Sequence, residues 1–215
     1  MFERKPLRAQ VQREIRERIV DGRLPAGASL NELRLAGELG ISRTPLREAM
    51  LGLEAGGFLT SAMGRGFLVP PMEATGFRDL AAILARLEPL ALELSPDLSG
   101  GRVMELQNLL QRAKLTLGQP GPRAAAAAAG LLPGCASLLL AACPNRTLAT
   151  DVLRLEALGA RYWHAAVAAG FDPGTLLAYA ERLYAEIQGR RRHAAATLIA
   201  QNLFVLVDQA AAVLP

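Results

Sequence analysis

The chain has 215 residues and a formal net charge of +4; 51% of its residues are hydrophobic, 20% charged and 5% aromatic. This balance excludes a disordered chain, and two cysteines, Cys135 and Cys143, are too few for a disulfide-stabilised secreted scaffold. The excess of positive charge lies in residues 1–72, which contain 11 Lys or Arg against 8 Asp or Glu, and this excess is compatible with a nucleic acid or another anionic partner.

Three short helices are predicted first. Apolar residues recur every four positions through the first of them, at Leu7, Val11, Ile15 and Ile19. The second helix begins with the capping-box spacing of Ser29 and Glu32 and ends at Gly40, a typical helix-terminating glycine. The third begins in the stretch ISRTPLREAM, where Ser42 or Thr44 caps the first turn, and it stops at the sequence AGG.

A hairpin is predicted after the third helix. Residues 58–60 (FLT) and 67–69 (FLV) read as short apolar strands, and the intervening SAMGRG has the glycines of a tight loop. Three helices followed by a two-stranded hairpin predict a winged helix-turn-helix DNA-binding domain over residues 1–72, with Pro70 and Pro71 at its boundary.

Residues 73–215 predict a second domain, an all-helical bundle of six to seven helices. The alanine-rich segment at 122–143 is predicted to form two helical pieces broken at Pro133 and Gly134, because proline disrupts a helix interior. Asp172 is the predicted N-cap of a later helix that has Pro173 at its first position. The predicted fold class is therefore mainly α.

The start of the third helix has the composition of a surface that reads DNA. Arg43 and Arg47 lie one turn apart and so point from one face, and a guanidinium group can bond to both acceptors on the guanine edge. Ser42 and Thr44 offer short donors to phosphate, while Arg65, between two glycines of the hairpin, suits a minor groove. Taken singly, each arginine is more simply a solvated side chain; the order of the elements favours the DNA-reading interpretation.

The stretch from residue 7 to 72 resembles the winged-helix domain of GntR-family transcriptional regulators, through "LAGELGISRTPLREAM", the following "LEAGG" and the Gly-Arg-Gly wing. The resemblance implies that Arg43, Thr44 and Arg47 contact bases or backbone and that Gly66 enters the minor groove. Many members have Arg-Glu where this chain has Leu33 and Arg34, so Arg34 is expected on phosphate. The predicted DNA-binding set is Ser42, Arg43, Thr44, Arg47, Arg34, Arg65 and Gly66.

The helical region resembles the FCD-type ligand-binding domain of the FadR-like branch, through "LARLEPLALELS" and "CPNRTL". Most such domains hold a divalent metal with one Asp and three His, but this chain has only two histidines, His164 and His193. A three-His site within one chain is therefore impossible, and no metal and no cofactor are predicted. A substitute site of Cys135, Cys143 and His164 is less favoured than two buried apolar thiols.

A metal-free effector pocket is predicted to be more apolar than usual in this family. The polar candidates to line it, chosen by position, are Arg86, Arg112, Arg161, Tyr162, Tyr179 and Asn202, with Trp163 beside them. For the aromatic residues, core packing or a dimer contact is the favoured alternative.

The combined prediction is a cytoplasmic homodimer that binds a short pseudo-palindromic DNA operator and regulates transcription under the control of a small metabolite. The alternative is a regulator without an effector, whose helical domain serves only dimerisation or partner binding. An enzyme is not predicted, since the sequence has no nucleophile–base set, no paired acid motif and no phosphate loop. No membrane segment is predicted either.

Overall fold

The computed structural model describes residues 7–62, 66–119 and 121–214, and the chain forms two compact units that divide between Met72 and Glu73. The N-terminal unit contains three helices and a two-stranded sheet: α1 (Leu7–Val20), α2 (Glu32–Leu39), α3 (Arg43–Ala55), β1 (Thr60–Ala62) and β2 (Gly66–Leu68).

The core of the N-terminal unit forms where α1 packs against α3. The predicted four-residue spacing places Val11, Ile15 and Ile19 on the buried face of α1. The facing side of α3 buries Leu46, Ala49, Met50 and Leu53. Because this side of α3 is held in the core, its opposite side faces outward.

The two strands of the hairpin pair antiparallel, with Ser61 opposite Phe67. The first strand begins later than the sequence predicts, because Phe58 is buried and its amide donates to the carbonyl of Leu53 at the end of α3. A segment before α2 also pairs with the second strand: the amide of Leu30 donates to the carbonyl of Phe67 at 2.8 Å. These bonds attach the hairpin to the start of α2.

The N-cap of α2 differs from the prediction. Asn31 caps the helix, and its Oδ1 accepts a hydrogen bond from the amide of Arg34 at 2.9 Å. Ser29 instead forms a bridge to Leu68 in the hairpin, so its backbone is extended and lies outside the helix. The capping-box prediction of Ser29 with Glu32 was therefore wrong, and the reason is the pairing of this segment with β2.

The second unit contains six helices in the residues described, and the predicted mainly α fold class is confirmed. They are α4 (Ala74–Leu94), α5 (Gly100–Leu117), α6 (Pro122–Leu139), α7 (Arg146–Ala168), α8 (Pro173–Gln188) and α9 (Arg192–Ala211). The α4 helix packs along α9 and against α7, and α6 packs along α7. Asp172 caps α8 as predicted, accepting a hydrogen bond from the amide of Gly174 at 2.9 Å.

The α6 helix is continuous through Pro133, so the predicted break at this residue was wrong. An interior proline costs about 3 kcal/mol because it removes a backbone donor and crowds the preceding turn. The buried face of α6, which includes Leu132 and Ala136 on either side of Pro133, offsets this cost. Gly134 allows α5 to approach closely, since a Cβ there would lie 3.0 Å from a methyl carbon of Leu109.

The last helix is the one candidate for a membrane span among the residues described. By length and composition Arg192–Ala211 is apolar enough to cross a bilayer, with a mean hydropathy of 1.3. Half of it is buried inside the helical unit, where α9 packs on α4 and α8. The core helix of a folded domain meets the same criteria, so this helix is weak evidence for a membrane.

Candidate nucleic-acid interface

The turn between α2 and α3 places the start of α3 at the surface. Gly40 has a φ of +63°, as predicted for a helix-ending glycine, and the amide of Ile41 donates to the carbonyl of Ala36 at 3.1 Å. The chain then re-enters a helix at Arg43, so the first turn of α3 presents unpaired amide groups beside exposed side chains. An exposed helix N-terminus next to cationic side chains is suited to phosphate.

The residues of this segment that are predicted to contact DNA lie together at the start of α3. Ser42, Thr44, Arg43 and Arg47 are all exposed, and the side chains of the two arginines are 66% and 62% accessible. They border a surface hollow of about 380 Å³, which we call the α3 hollow. It is lined by Glu32, Arg43, Thr44, Arg47, Glu48 and Leu51.

Glu32 was not predicted as a site residue, and it lies between the two arginines. Its Oε2 atom is 3.9 Å from Nη2 of Arg43 and 3.8 Å from Nη1 of Arg47. The side chain is only 12% exposed, and Oε2 accepts no hydrogen bond from the residues described. The carboxylate therefore attracts both guanidinium groups without holding either by a short hydrogen bond.

The hairpin reaches the same carboxylate. Gly66 has a φ of +72°, and a Cβ built there would lie 3.5 Å from Oε1 of Glu32. A glycine is favoured at this φ, because residues with a side chain are strained in the left-handed region. The start of α2, the start of α3 and the first residue of β2 thus meet around Glu32.

Two further residues predicted to contact DNA are Arg34 and Arg65, and the structure describes only the first. Arg34 lies on α2 with 74% of its side chain exposed, and its Nε is 3.4 Å from a carboxylate oxygen of Glu38. This exposed pair is weak enough to yield to a phosphate. Arg65 lies outside the residues that the structure describes.

The residues predicted to line an effector pocket divide into three groups. Arg86 and Arg112 are exposed on α4 and α5. Asn202 is half-buried, and its Nδ2 donates to the carbonyl of Leu198 at 2.9 Å within α9. The buried ones are Arg161, Tyr162 and Tyr179. Tyr162 stacks on Phe77 with 4.7 Å between ring centroids, which agrees with the alternative of core packing.

Two buried glutamates of the helical unit were missed by the sequence analysis. Burial raises the pKa of Glu88 on α4 to about 7. Burial and the charge of Glu88 raise the pKa of Glu156 on α7 well above its usual range. Both cysteines are buried free thiols, as predicted, and burial with these two carboxyls raises the pKa of Cys135 to about 12. In the sequence each glutamate lies in an ordinary helical pattern, so only its burial distinguishes it.

Comparison with known proteins gives a family for the N-terminal unit. The family model "Bacterial regulatory proteins, gntR family" matches residues 7–69, which include α1 to α3 and both strands. The N-terminal unit therefore contains a GntR-type domain by similarity. Residues 7–69 are called the GntR domain below.

Curated relatives match only part of the chain. The chain is 44% identical over 69 residues to the Nta operon transcriptional regulator of Aminobacter aminovorans, covering 32% of this chain and 33% of that protein. It is 34% identical over 107 residues to the HTH-type transcriptional regulator McbR of Escherichia coli, covering 49% and 48%. The matched region therefore spans a third to a half of the length of these curated relatives.

Solved structures match the fold over nearly the whole chain. Escherichia coli McbR/YncC has a TM-score of 0.75 at 24% identity, with 96% of this chain and 99% of that chain covered. A putative GntR regulator from Rhodococcus sp. RHA1 has a TM-score of 0.74 at 18% identity, with 94% and 96% covered. These likenesses show that the fold is shared with these two solved structures.

Proposed function

We propose that this chain is a cytoplasmic, non-enzymatic transcriptional regulator that binds DNA through its GntR domain. The observation that carries the proposal is the α3 hollow, where Arg43, Thr44 and Arg47 project from the exposed first turns of α3 beside Gly66 of the hairpin. In this arrangement α3 enters the major groove, the two arginines contact guanine edges, and Ser42 and Thr44 contact phosphate. Arg34 contacts phosphate, and Gly66 and Arg65 approach the minor groove.

The ion pairs around Glu32 are suited to exchange on DNA. At 3.8 and 3.9 Å between highly exposed arginines and one carboxylate, each pair contributes less than about 1 kcal/mol. A bidentate contact to guanine contributes about 1–3 kcal/mol of discrimination against a wrong base. The arginines therefore leave Glu32 for the correct base, and they gain less from leaving it for a wrong one.

We propose further that the chain works as a homodimer on a short pseudo-palindromic site, since a two-fold protein matches a two-fold site. Large apolar side chains of the helical unit are exposed on two packed helices: Ile83, Leu90 and Leu94 on α4, and Phe204 and Val205 on α9. Exposed apolar patches of this kind support a protein interface. The helical unit is then a degenerate FCD-type domain that joins two protomers and binds a small effector without metal.

The test of DNA reading begins by selecting an operator from a randomised duplex library with the full chain. Arg47→Ala should lower affinity for that operator by about 1–3 kcal/mol, or roughly 5- to 150-fold, and relax the preference at one base pair. Arg34→Ala is the matched control: it removes the same charge from α2, so it should weaken operator and random duplex equally. Both affinities are measured by fluorescence anisotropy over a range of salt concentrations.

If Arg47→Ala lowers affinity equally for operator and random DNA, Arg47 contacts only phosphate. Failure of the wild-type chain to enrich any sequence would contradict the proposal of a sequence-specific regulator.

A further inference from the structure

The helical unit buries two acidic side chains that form no ion pair among the residues described. Glu88 is 6% exposed and Glu156 is 3% exposed. The ion pairs found among the described residues of this unit all involve other acids, such as Asp208 with Arg78 and Glu181 with Lys114. A buried ionised carboxyl without a positive partner is strongly unfavourable, so a fold that retains two of them needs an explanation.

The two carboxyls belong to one buried cluster that four helices build. The α4 helix, which carries Glu88, packs against α7, which carries Glu156, and α6 packs against both α7 and α8. Cys135 on α6 and Tyr179 on α8 are also buried, and the charges of both glutamates help to raise the pKa of each. Tyr179 is 7% exposed, so its ring is buried beside the two carboxyls. The cluster thus adds a phenol hydroxyl to the two acids and the thiol.

Unfilled space lies next to this cluster. Gly159 follows Glu156 by three residues, so the two lie on one face of α7. Gly159 is buried, yet a Cβ built there would meet no heavy atom within 4 Å other than the backbone of its own helix. Protein interiors are normally close-packed, and a buried glycine facing open space indicates a void. Trp163, one turn further along, is also buried and places an aromatic ring on the same face.

We propose that this void binds a small primary amine in its ammonium form, held by Glu88 and Glu156, and that this amine is the effector of the helical unit. An ammonium group has three donors and one positive charge, so it neutralises one carboxylate while the other carboxyl retains a proton. The apolar and aromatic surroundings suit the hydrocarbon part of such a ligand.

An organic cation fits this cluster better than a metal ion. No group of three or more His, Cys, Asp or Glu side chains is placed to hold a metal among the residues described. Two carboxyls alone are fewer than the four ligands that a protein-bound transition metal usually takes.

The test measures thermal unfolding of the full chain with n-butylammonium and benzylammonium as probes. The matched neutral and anionic compounds are the corresponding alcohols and carboxylates. The ammonium probes should raise the Tm by several degrees and the matched compounds should not, because ligand binding stabilises only the folded state. Isothermal titration calorimetry then measures the affinity directly.

Variants assign the effect to the site. Glu88→Gln and Glu156→Gln keep the side-chain shape and should each lower ammonium affinity at least tenfold, while raising the Tm without ligand. Gly159→Leu fills the void and should abolish the Tm shift with both carboxyls still present. Glu105→Gln, on the exposed surface of α5, removes the same charge and should leave the shift unchanged.

The proposal is overturned if neither ammonium probe raises the Tm, or if Glu156→Gln keeps the full shift. It is also overturned if Mn²⁺ or Zn²⁺ stabilises the wild type through the same glutamates, since the site would then bind metal. The inference rests on the proposed regulatory function only in naming the ligand an effector. The unfolding experiments contain no DNA, so their failure and the failure of operator selection are distinguishable.

Discussion

At Glu32 a single negative charge lies against the two arginines proposed to read bases. In the free protein it attracts Arg43 and Arg47 on the exposed side of α3, and in the proposed complex with DNA it would repel phosphate. A negative charge here lowers affinity for every duplex. The loss is smallest on a duplex whose base edges offer good hydrogen-bond acceptors to the two arginines. We therefore expect Glu32 to increase specificity at the expense of affinity, as repulsive elements in interfaces do.

Glu32→Gln is expected to raise affinity for random DNA about 3- to 10-fold and to raise operator affinity less, so that the ratio of the two falls. Glu48→Gln removes the same charge from the same α3 hollow but not from the site between the arginines, and it should leave the ratio unchanged. Competition binding between operator and random duplex measures both variants. If both variants change the ratio equally, Glu32 affects DNA binding only through its charge and not through its position between the arginines.

The buried Glu88 predicts a pH dependence of stability. Its pKa in the folded chain is about 7 against an ordinary value of 4.5, so the folded state binds its proton more tightly than the unfolded state does. The free energy of unfolding should therefore decrease as the pH rises from about 4.5 to 7, by on the order of 3 kcal/mol from this group.

Glu88→Gln should flatten this part of the pH profile, and urea unfolding between pH 4.5 and 7 with and without the substitution measures the difference. Glu105→Gln on the surface should retain the wild-type slope. A profile that is unchanged in Glu88→Gln would mean that the buried carboxyl does not titrate in this range.

At the scale of the element, the N-cap of α2 tests how the GntR domain is assembled. Asn31→Ala should destabilise the domain by about 1 kcal/mol, because the amide of Arg34 loses its acceptor. Asn31→Asp keeps an acceptor oxygen at the same position and should cost much less. Urea unfolding compares the two variants, and an equal loss in Asn31→Asp would contradict the observed cap.

The elements of the GntR domain could be predicted from sequence because their signals are local. The spacing of apolar residues in α1 and the conformation of Gly40 depend on a few neighbouring residues. The continuity of α6 depends instead on the apolar face that it buries against α5 and α7, which a local rule for Pro133 does not include. Propensity is outweighed by tertiary packing in such segments.

At the scale of the whole molecule, the proposed dimer places two GntR domains on one operator. Leu90→Glu adds a charge to the exposed apolar stripe of α4 and should convert the dimer to a monomer in analytical ultracentrifugation. Operator affinity should fall by at least about tenfold, because the second half-site then binds without the gain of linkage.

Leu115→Glu on α5 is the matched control, since Leu115 is 73% exposed and lies on a helix that packs with α6 and α8. It should leave both the sedimentation and the operator affinity unchanged. If Leu90→Glu remains a dimer and Leu115→Glu is a monomer, the dimer interface lies on α5 and not on α4.

The sequence by itself determined the elements of the GntR domain and the helical character of the rest, because apolar periodicity, caps and glycine turns act over one or two turns of chain. It also excluded a three-His metal site, since a chain with two histidines has no such set. Only the tertiary structure brought Glu32 between Arg43 and Arg47 and buried Glu88 with Glu156. These residues come from different helices, and their meeting depends on how whole helices pack, which no local pattern encodes.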